Sequence, residues 1–284
     1  MESKSRTRQV RAVLFWALCA IALAIIIVPA VAIVVGIIAK AWPAFSPAII
    51  THTTATDGLQ NAIVGTLILS VGVLLTAGTI GVLGGLYIAE FASPRIGSVL
   101  RFFSEVLSGV PSIVVGYVGY LSLVVALGWG YSVLGGVLAL GTLIIPYIVK
   151  STEVAFSTVP RSLREGSVAL GLPKLTMIRK VLLPPALPGI ISGLVIAIAI
   201  STGETAPLLF TADFSDHNPS IALFHNPVGY LTGVTYFDLQ QPGANYLALA
   251  NAAAAVTVIM ILVLIFGGRL ITARSRRMIA RMDV

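Results

Sequence analysis

The sequence predicts an all-α, polytopic membrane protein whose residues 1–284 form one domain with six transmembrane helices. Hydrophobic residues make up 57% of the chain and charged residues only 10%, and the mean hydropathy is +0.99. This composition is typical of membrane proteins rather than of soluble domains. The apolar residues also form runs long enough to cross a bilayer, and the basic residues lie almost entirely between alternate runs.

The first apolar run, residues 12–39, follows four basic residues near the start of the chain. It is longer than the hydrophobic region of a signal peptide, so we expect an uncleaved first span. The later runs have the length of spanning helices as well. They predict further spans at residues 59–91, 106–127, 132–149, 189–210 and 246–268.

The basic residues orient these spans. With the N-terminus in the cytoplasm, seventeen of the eighteen Lys and Arg residues lie on the inner side, and only Lys40 lies outside. This asymmetry predicts that both termini are cytoplasmic. The net charge of +7 is therefore an orientation signal, and nucleic acid is not an expected partner.

Several classes of site are disfavoured by the sequence. The single Cys19 excludes an intramolecular disulfide, and His217 and His225 are spaced so that one helical face cannot carry both, which argues against a metal site. The sequence contains no Gly-x-x-x-x-Gly-Lys-Ser/Thr loop and no nucleophile elbow. We therefore expect a chain that is not an enzyme and binds no cofactor, with its energy source on another polypeptide.

Two other features concern packing and loops. Gly81 with Gly85, and Gly189 with Gly193, form Gly-x-x-x-Gly steps that let helices approach closely in lipid. The outer segment 211–245 lacks Lys and Arg and contains three prolines. We expect it to be irregular.

The inner loop, residues 150–188, interrupts the apolar runs with a basic, polar stretch. Residues 162–170 predict an amphipathic surface helix with Arg161, Arg164 and Glu165 on its polar face. Gly171, followed by Leu-Pro, predicts a left-handed helix end. A second helical piece, residues 174–182, then returns to the membrane.

The spacing in this loop resembles the EAA loop of ABC-importer permeases. Glu165, Gly171, Leu183 and Pro184 stand at the matching positions, while Gly-Ser replaces the two alanines and Val181 replaces an isoleucine. In that family the loop is the coupling helix that docks on the ATPase subunit. The resemblance implies that coupling to the ATPase involves Arg161, Arg164, Glu165, Gly166, Ser167, Gly171 and Pro184.

Two further stretches resemble phosphate-importer permeases. One is Ser-Gly-Val-Pro-Ser-Ile-Val-Val-Gly at residues 108–116, and the other is Gly-Glu-Thr-Ala-Pro-Leu-Leu-Phe-Thr-Ala at residues 203–212. Glu204 in the second is an ionisable group near the far end of a span, where it is either functional or a structural carboxylate reaching the outer interface. Candidate residues of the substrate pathway are Glu204, Ser201, Thr202, Thr205, Gly109, Pro111 and Ser112.

One position departs from the family pattern. Ile200 stands where relatives carry an arginine, four residues before the glutamate, and no Lys or Arg lies in the fifth span. Glu204 must therefore be protonated, hydrated or paired with another chain, and the departure argues against a direct anion-binding role for this span.

The resemblance implies the type I ABC-importer permease fold and transport by alternating access. The expected partners are a second, related permease, two ATPase subunits that bind ATP and Mg²⁺, an extracytoplasmic phosphate-binding protein and the lipid membrane. Two alternatives stay open: a permease for another oxyanion such as molybdate or sulfate, and a self-contained channel or secondary transporter. The sequence also leaves open whether the two permeases are identical.

The charge distribution generates a labelling prediction. In a Cys19-free background, single cysteines at Ser5, Lys174 and Ser275 should resist an impermeant thiol reagent in intact cells, because these positions are expected on the inner side. A cysteine at Ser220 should react. Labelling at Lys174 from outside would contradict the six-span topology.

Overall fold

The fold is all-helical over residues 2–220 and 222–280, the part of the chain that the computed structural model describes. Within these ranges there is no strand, only an isolated bridge between Ser132 and Asn226. The predicted fold class is confirmed. The helices are α1 (Glu2–Ala41), α2 (Gln60–Glu90), α3 (Pro94–Ser108), α4 (Ser112–Ala126), α5 (Val133–Ser157), α6 (Arg161–Ala169), α7 (Lys174–Gly203), α8 (Ala206–Thr211), α9 (Leu231–Asp238) and α10 (Ala244–Ala280).

Three of these helices contain a stretch with wider, π-helical turns. The stretches are Leu74–Gly78 in α2, Tyr120–Ala126 in α4 and Ile178–Leu182 in α7. Short helical turns, Trp42–Ala44, Ala48–Thr51 and Thr54–Thr56, connect α1 to α2.

Five helices in the described ranges are long and apolar enough to cross a membrane: α1, α2, α5, α7 and α10. The third predicted span, residues 106–127, is not one straight helix. It consists of the end of α3 and all of α4, and the two helices are bent by 95°. The bend lies where Pro111, in an extended conformation (ψ 135°), precedes the first residue of α4. Proline is tolerated at a helix start but lacks the N–H that would continue α3.

The predicted inner loop, residues 150–188, is also more helical than expected. The fourth span continues beyond residue 149 as α5 to Ser157, and the fifth begins at Lys174 rather than at residue 189. Only the turns on either side of α6 are non-helical. The predicted ends were set by hydropathy, whereas both helices continue through charged residues such as Lys150, Glu153 and Lys180.

Helix α3 was not predicted. It begins after Ser93, whose hydroxyl accepts a hydrogen bond from the backbone N–H of Ile96 at 3.4 Å, with Pro94 in the first turn. This is a standard N-terminal cap. Apolar residues such as Phe102 and Phe103 remain largely exposed on α3, so it is an amphipathic helix that presents an apolar face away from the chain.

Helix α5 is the centre of the bundle, and α2 and α7 pack against it through glycine. A Cβ added at Gly81 would lie 2.6 Å from Cβ of Ile148, and one at Gly85 would lie 2.5 Å from the carbonyl oxygen of Val149. Gly189 and Gly193 approach Ala155 and Ser151 in the same way. Both predicted Gly-x-x-x-Gly steps therefore pack on α5, because only glycine allows this separation.

We call the end of the bundle that carries α6 the α6 end, and the end that carries residues 42–58 and 212–243 the opposite end. The prediction that residues 211–245 are irregular is wrong for α9. Leu231 and Val234 of α9 are fully buried in a cluster that includes Leu59. The loop before α9 is also held by protein contacts rather than left free.

Asn61, fully buried at the start of α2, ties the opposite end together. Its amide donates to Thr54 Oγ1 at 2.9 Å and to the carbonyl oxygen of Ser215 at 2.8 Å, and its Oδ1 accepts from Thr54 N–H at 2.9 Å. Nearby, burial and then the carboxylate of Asp216 raise the pKa of Asp238 to about 6. This part of the opposite end therefore changes charge closer to neutral pH than an ordinary aspartate would.

Candidate functional site

The coupling segment, residues 161–184, is the first part of the candidate site. Helix α6 begins after Pro160 and ends in the predicted glycine turn, where Gly171 has φ +65°. Gly171 N–H donates to the carbonyl oxygen of Val168 at 2.9 Å, and Leu172 N–H donates to that of Ser167 at 3.1 Å. This pair of bonds is the Schellman motif. A Cβ at Gly171 would meet no atom within 4 Å, so backbone conformation alone requires glycine there.

The face that α6 exposes differs from the prediction. Val168 is 69% exposed and Leu170 79%, and Arg161, Glu165 and Gly166 are exposed with them. Ser167 is buried, and its hydroxyl donates to the carbonyl oxygen of Leu163 at 2.7 Å. The free surface of α6 is thus a mixture of charged and large apolar side chains.

Arg164 does not lie on this free surface, so the prediction that it shares a polar face with Arg161 and Glu165 is wrong. Its Nη2 donates to the carbonyl oxygen of Phe156, at the end of α5, over 2.7 Å. The same nitrogen lies 2.7 Å from Oε1 of Glu90, the last residue of α2, whose side chain is 6% exposed. A guanidinium suits this arrangement because it offers several donors in a fixed plane. Arg164 therefore fastens α6 to the ends of α2 and α5.

A second contact holds the chain that follows α6. Lys174 Nζ lies 4.3 Å from the centre of the Phe91 ring, in cation–π geometry. Pro184 is partly buried inside α7, directly after its π-helical stretch. Arg164 of α6 and Lys174, at the start of α7, therefore both contact residues at the end of α2.

Another ion pair attaches α3 at the same end of the bundle. Arg101 Nε donates to Glu153 Oε1 of α5 at 2.6 Å. Glu90 and Glu153 are both largely buried, and each receives an arginine from a helix outside the central bundle. Helices α3 and α6 are therefore attached by charge rather than by apolar packing alone.

The Gly-Val-Pro-Ser-Ile segment lies at the bend between α3 and α4. Gly109 and Pro111 are exposed and Ser112 is partly buried. Val110 and Val114 line an open cavity of about 460 Å³ between α4, α5 and α2. The cavity walls are mostly apolar, and its hydroxyl groups come from Thr76, Ser122 and Thr142.

Glu204 lies at a helix break rather than inside a continuous fifth span. Helix α7 ends at Gly203, Glu204 is extended (φ −75°, ψ 138°), and Pro207 lies in the first turn of α8. Its backbone carbonyl accepts a hydrogen bond from the Thr232 hydroxyl of α9 at 3.0 Å. The Glu204 side chain is partly buried, and it forms no salt bridge within the described ranges.

The three neighbouring pathway candidates differ in burial. Ser201 and Thr202 are buried inside the bundle, and Thr202 Oγ1 lies 3.2 Å from Ser70 Oγ of α2. Thr205 is partly buried and precedes α8. Their role in a substrate pathway stays a prediction.

Several important residues were not found from the sequence. Glu90, the Phe156 carbonyl and Glu153 complete the α6 end, while Asn61 and Thr232 organise the opposite end. Glu90 and Glu153 had one available signal, since each is an acidic residue near the end of an apolar run. Nothing in the sequence pairs them with Arg164 and Arg101, which are 74 and 52 positions away.

The Arg164 contacts predict a position-specific loss of stability. Arg164→Gln should lower the free energy of unfolding by about 1–3 kcal/mol, because it leaves the buried Glu90 carboxylate without its positive partner. Arg161→Gln, which changes the exposed arginine of the same helix, should have little effect. Thermal unfolding of the purified protein in detergent measures both.

A double variant separates the ion pair from other effects. If Glu90→Gln and Arg164→Gln are coupled, the double variant should lose less stability than the sum of the two single variants. Simple additivity would contradict an anchoring role for the pair.

Residues 81–280 match the family model described as "Binding-protein-dependent transport system inner membrane component". The chain is 45% identical over 272 residues to "Phosphate transport system permease protein PstA 2" of Mycobacterium bovis, covering 95% of this chain and 90% of the relative. It is 37% identical over 209 residues to the "Probable ABC transporter permease protein YqgI" of Bacillus subtilis, covering 69% and 71%.

A solved structure confirms the architecture. The chain resembles a chain of the MetNI methionine ABC transporter in an inward-facing conformation, with a TM-score of 0.61 and 19% identity, covering 81% of this chain and 99% of that one. At this identity the likeness concerns the fold, which is that of type I ABC-importer permeases. The extent of the family match and the 45% identity over nearly the whole chain establish that this protein belongs to the family of binding-protein-dependent transport system inner membrane components, as a PstA-type permease.

Proposed function

We propose that this chain is the membrane-spanning permease subunit of an ATP-driven importer for inorganic phosphate. It lies in the bacterial cytoplasmic (inner) membrane with both termini in the cytoplasm, and it forms half of the translocation pathway. Its partners are a PstC-like second permease, two ATPase subunits and an extracytoplasmic phosphate-binding protein. The chain itself carries out no catalysis and binds no cofactor, since ATP and Mg²⁺ bind to the ATPase subunits.

The choice of phosphate is supported by the names of the similar permeases. The Mycobacterium bovis relative is named as a phosphate transport permease, as is the PstA protein of Yersinia pestis, which is 36% identical over 224 residues. The two stretches at residues 108–116 and 203–212 resemble the same class of permease.

The observation that carries the coupling role is the exposed surface of α6 and of the turn that follows it. Val168 of α6, Leu170 of the turn and Leu175 at the start of α7 are all more than 60% exposed, and Glu165 of α6 is exposed as well. Burying one leucine-sized side chain at an interface contributes about 1.5–3 kcal/mol. A groove on an ATPase subunit that accepts these side chains would therefore bind α6 with useful affinity, and Glu165 would add charge specificity.

The mechanism follows from how α6 is fastened. Arg164 attaches it to the ends of α2 and α5 through contacts of 2.7 Å. When the ATPase subunits close and move the docked α6, the displacement is passed to two spanning helices at once. Alternating access then requires only that these helices tilt relative to the second permease.

A second candidate substrate is another tetrahedral oxyanion such as molybdate or sulfate. Uptake of radiolabelled phosphate by cells expressing the complete importer should be reduced by excess unlabelled phosphate. The same concentration of molybdate or sulfate should leave it unchanged. Competition by molybdate or sulfate that equals that of phosphate would favour the other oxyanions. A self-contained channel is disfavoured, because a channel does not need the exposed apolar face of α6.

The exposed surface of α6 predicts how two substitutions affect coupling to the ATPase subunits. Glu165→Lys reverses an exposed charge, and Gly171→Val introduces a Cβ at φ +65°, which costs about 1–2 kcal/mol. Both variants should reach the membrane in normal amounts, yet lose ATPase association or coupled uptake. Pull-down of the ATPase subunits and an uptake assay measure these effects.

Gly36→Val is a matched control, because a Cβ at Gly36 meets no atom within 4 Å and its φ is not positive. It should retain both association and uptake. Normal ATPase pull-down together with normal uptake in Glu165→Lys and Gly171→Val would contradict the coupling role of α6.

A further inference from the structure

A small cavity lies beside the break between α7 and α8. Its volume is about 10 Å³, which is close to the space that one water molecule needs. It lies among α2, α5, the end of α7 and the segment that leads into α9. The polar residues in its wall are Thr66, Ser70, Ser201, Thr202, Tyr230 and Thr232.

Two of these hydroxyl groups have no protein partner. Ser201 is 3% exposed and Tyr230 is 1% exposed, yet neither Ser201 Oγ nor Tyr230 Oη forms a hydrogen bond with a described residue. Buried hydroxyls are almost always hydrogen-bonded, because burial without a partner forfeits their bonds to water. Burial also raises the pKa of Tyr230, so its hydroxyl keeps its proton and is available as a donor.

The other hydroxyls are already engaged. Thr66 donates to the carbonyl oxygen of Ala62 at 2.7 Å and accepts from Leu231 N–H at 3.0 Å. Thr202 donates to the carbonyl oxygen of Ile198 at 2.8 Å and lies 3.2 Å from Ser70 Oγ. The unmet hydrogen-bonding capacity of the cavity wall therefore belongs to Ser201 and Tyr230.

We propose that this cavity binds one ordered water molecule, which joins the hydroxyls of Tyr230 and Ser201. Water fits both the size and the chemistry, since it donates and accepts in several directions. A tetrahedral oxyanion is too large for about 10 Å³. A small ion would find only neutral hydroxyls and leucines in the wall, without an opposite charge.

The bound water links two parts of the bundle. Tyr230 leads into α9, and Ser201 lies in the last turn of α7. The Thr232 hydroxyl already bonds the carbonyl oxygen of Glu204 in the break. The water adds a second connection and holds α9 against the broken helix. This inference concerns internal hydrogen bonding and is independent of the transported substrate.

Cryo-electron microscopy of the assembled importer, at a resolution that shows ordered water, tests the proposal directly. The wild-type protein should show one density peak within hydrogen-bond distance of Ser201 Oγ and Tyr230 Oη. Tyr230→Phe and Ser201→Ala remove one partner each with little change of shape, so both should fold, lose the peak and lower the unfolding temperature by a few degrees.

The double variant and a control complete the test. Because both changes disrupt the same water, Tyr230→Phe combined with Ser201→Ala should lower the unfolding temperature no more than the larger single effect. Tyr236→Phe, at an exposed tyrosine of α9, should change nothing. A cavity without density, a direct bond between the two hydroxyls, a peak that persists in both single variants, or strictly additive losses would each overturn the proposal.

Discussion

Close packing of α5 against α2 and α7 is the constraint on which the rest of the structure depends. In lipid, apolar side chains gain little by leaving one apolar surface for another, so helices associate through van der Waals contact and internal hydrogen bonds. Gly85 and Gly193 bring two long helices against the backbone and Ser151 of α5. Once these three helices are fixed, their ends define where every peripheral helix must attach.

At the α6 end, the attachment is electrostatic. Glu90 ends α2 and Glu153 lies in the last turns of α5, and each meets an arginine from a helix outside the central bundle. Buried carboxylates are costly unless they are paired, so the two pairs select one arrangement of α3 and α6. The exposed side chains of α6 remain free, while its attachment to the spanning helices is internal.

At the opposite end, the attachment is by hydrogen bonds. Asn61 joins two loops, and Thr232 bonds the backbone where the fifth span is broken at Glu204. The break itself comes from local chemistry, since Gly203 weakens the helix and Pro207 starts a new one. The two ends of the bundle are therefore held by different kinds of contact.

The sequence by itself determined the fold class, five long spans, the glycine packing steps and the left-handed turn at Gly171, because each depends on local composition, periodicity or the conformational freedom of one residue. The spacing of Glu165, Gly171 and Pro184 that resembles the EAA loop is likewise visible in the sequence alone. Tertiary structure alone decided that Arg164 turns inward to Glu90 and Phe156 while Val168 and Leu170 are exposed, and that residues 231–238 form a buried helix. These features depend on side chains far apart in the chain, and hydropathy along a sequence contains no information about which distant partner will satisfy a buried charge or backbone carbonyl.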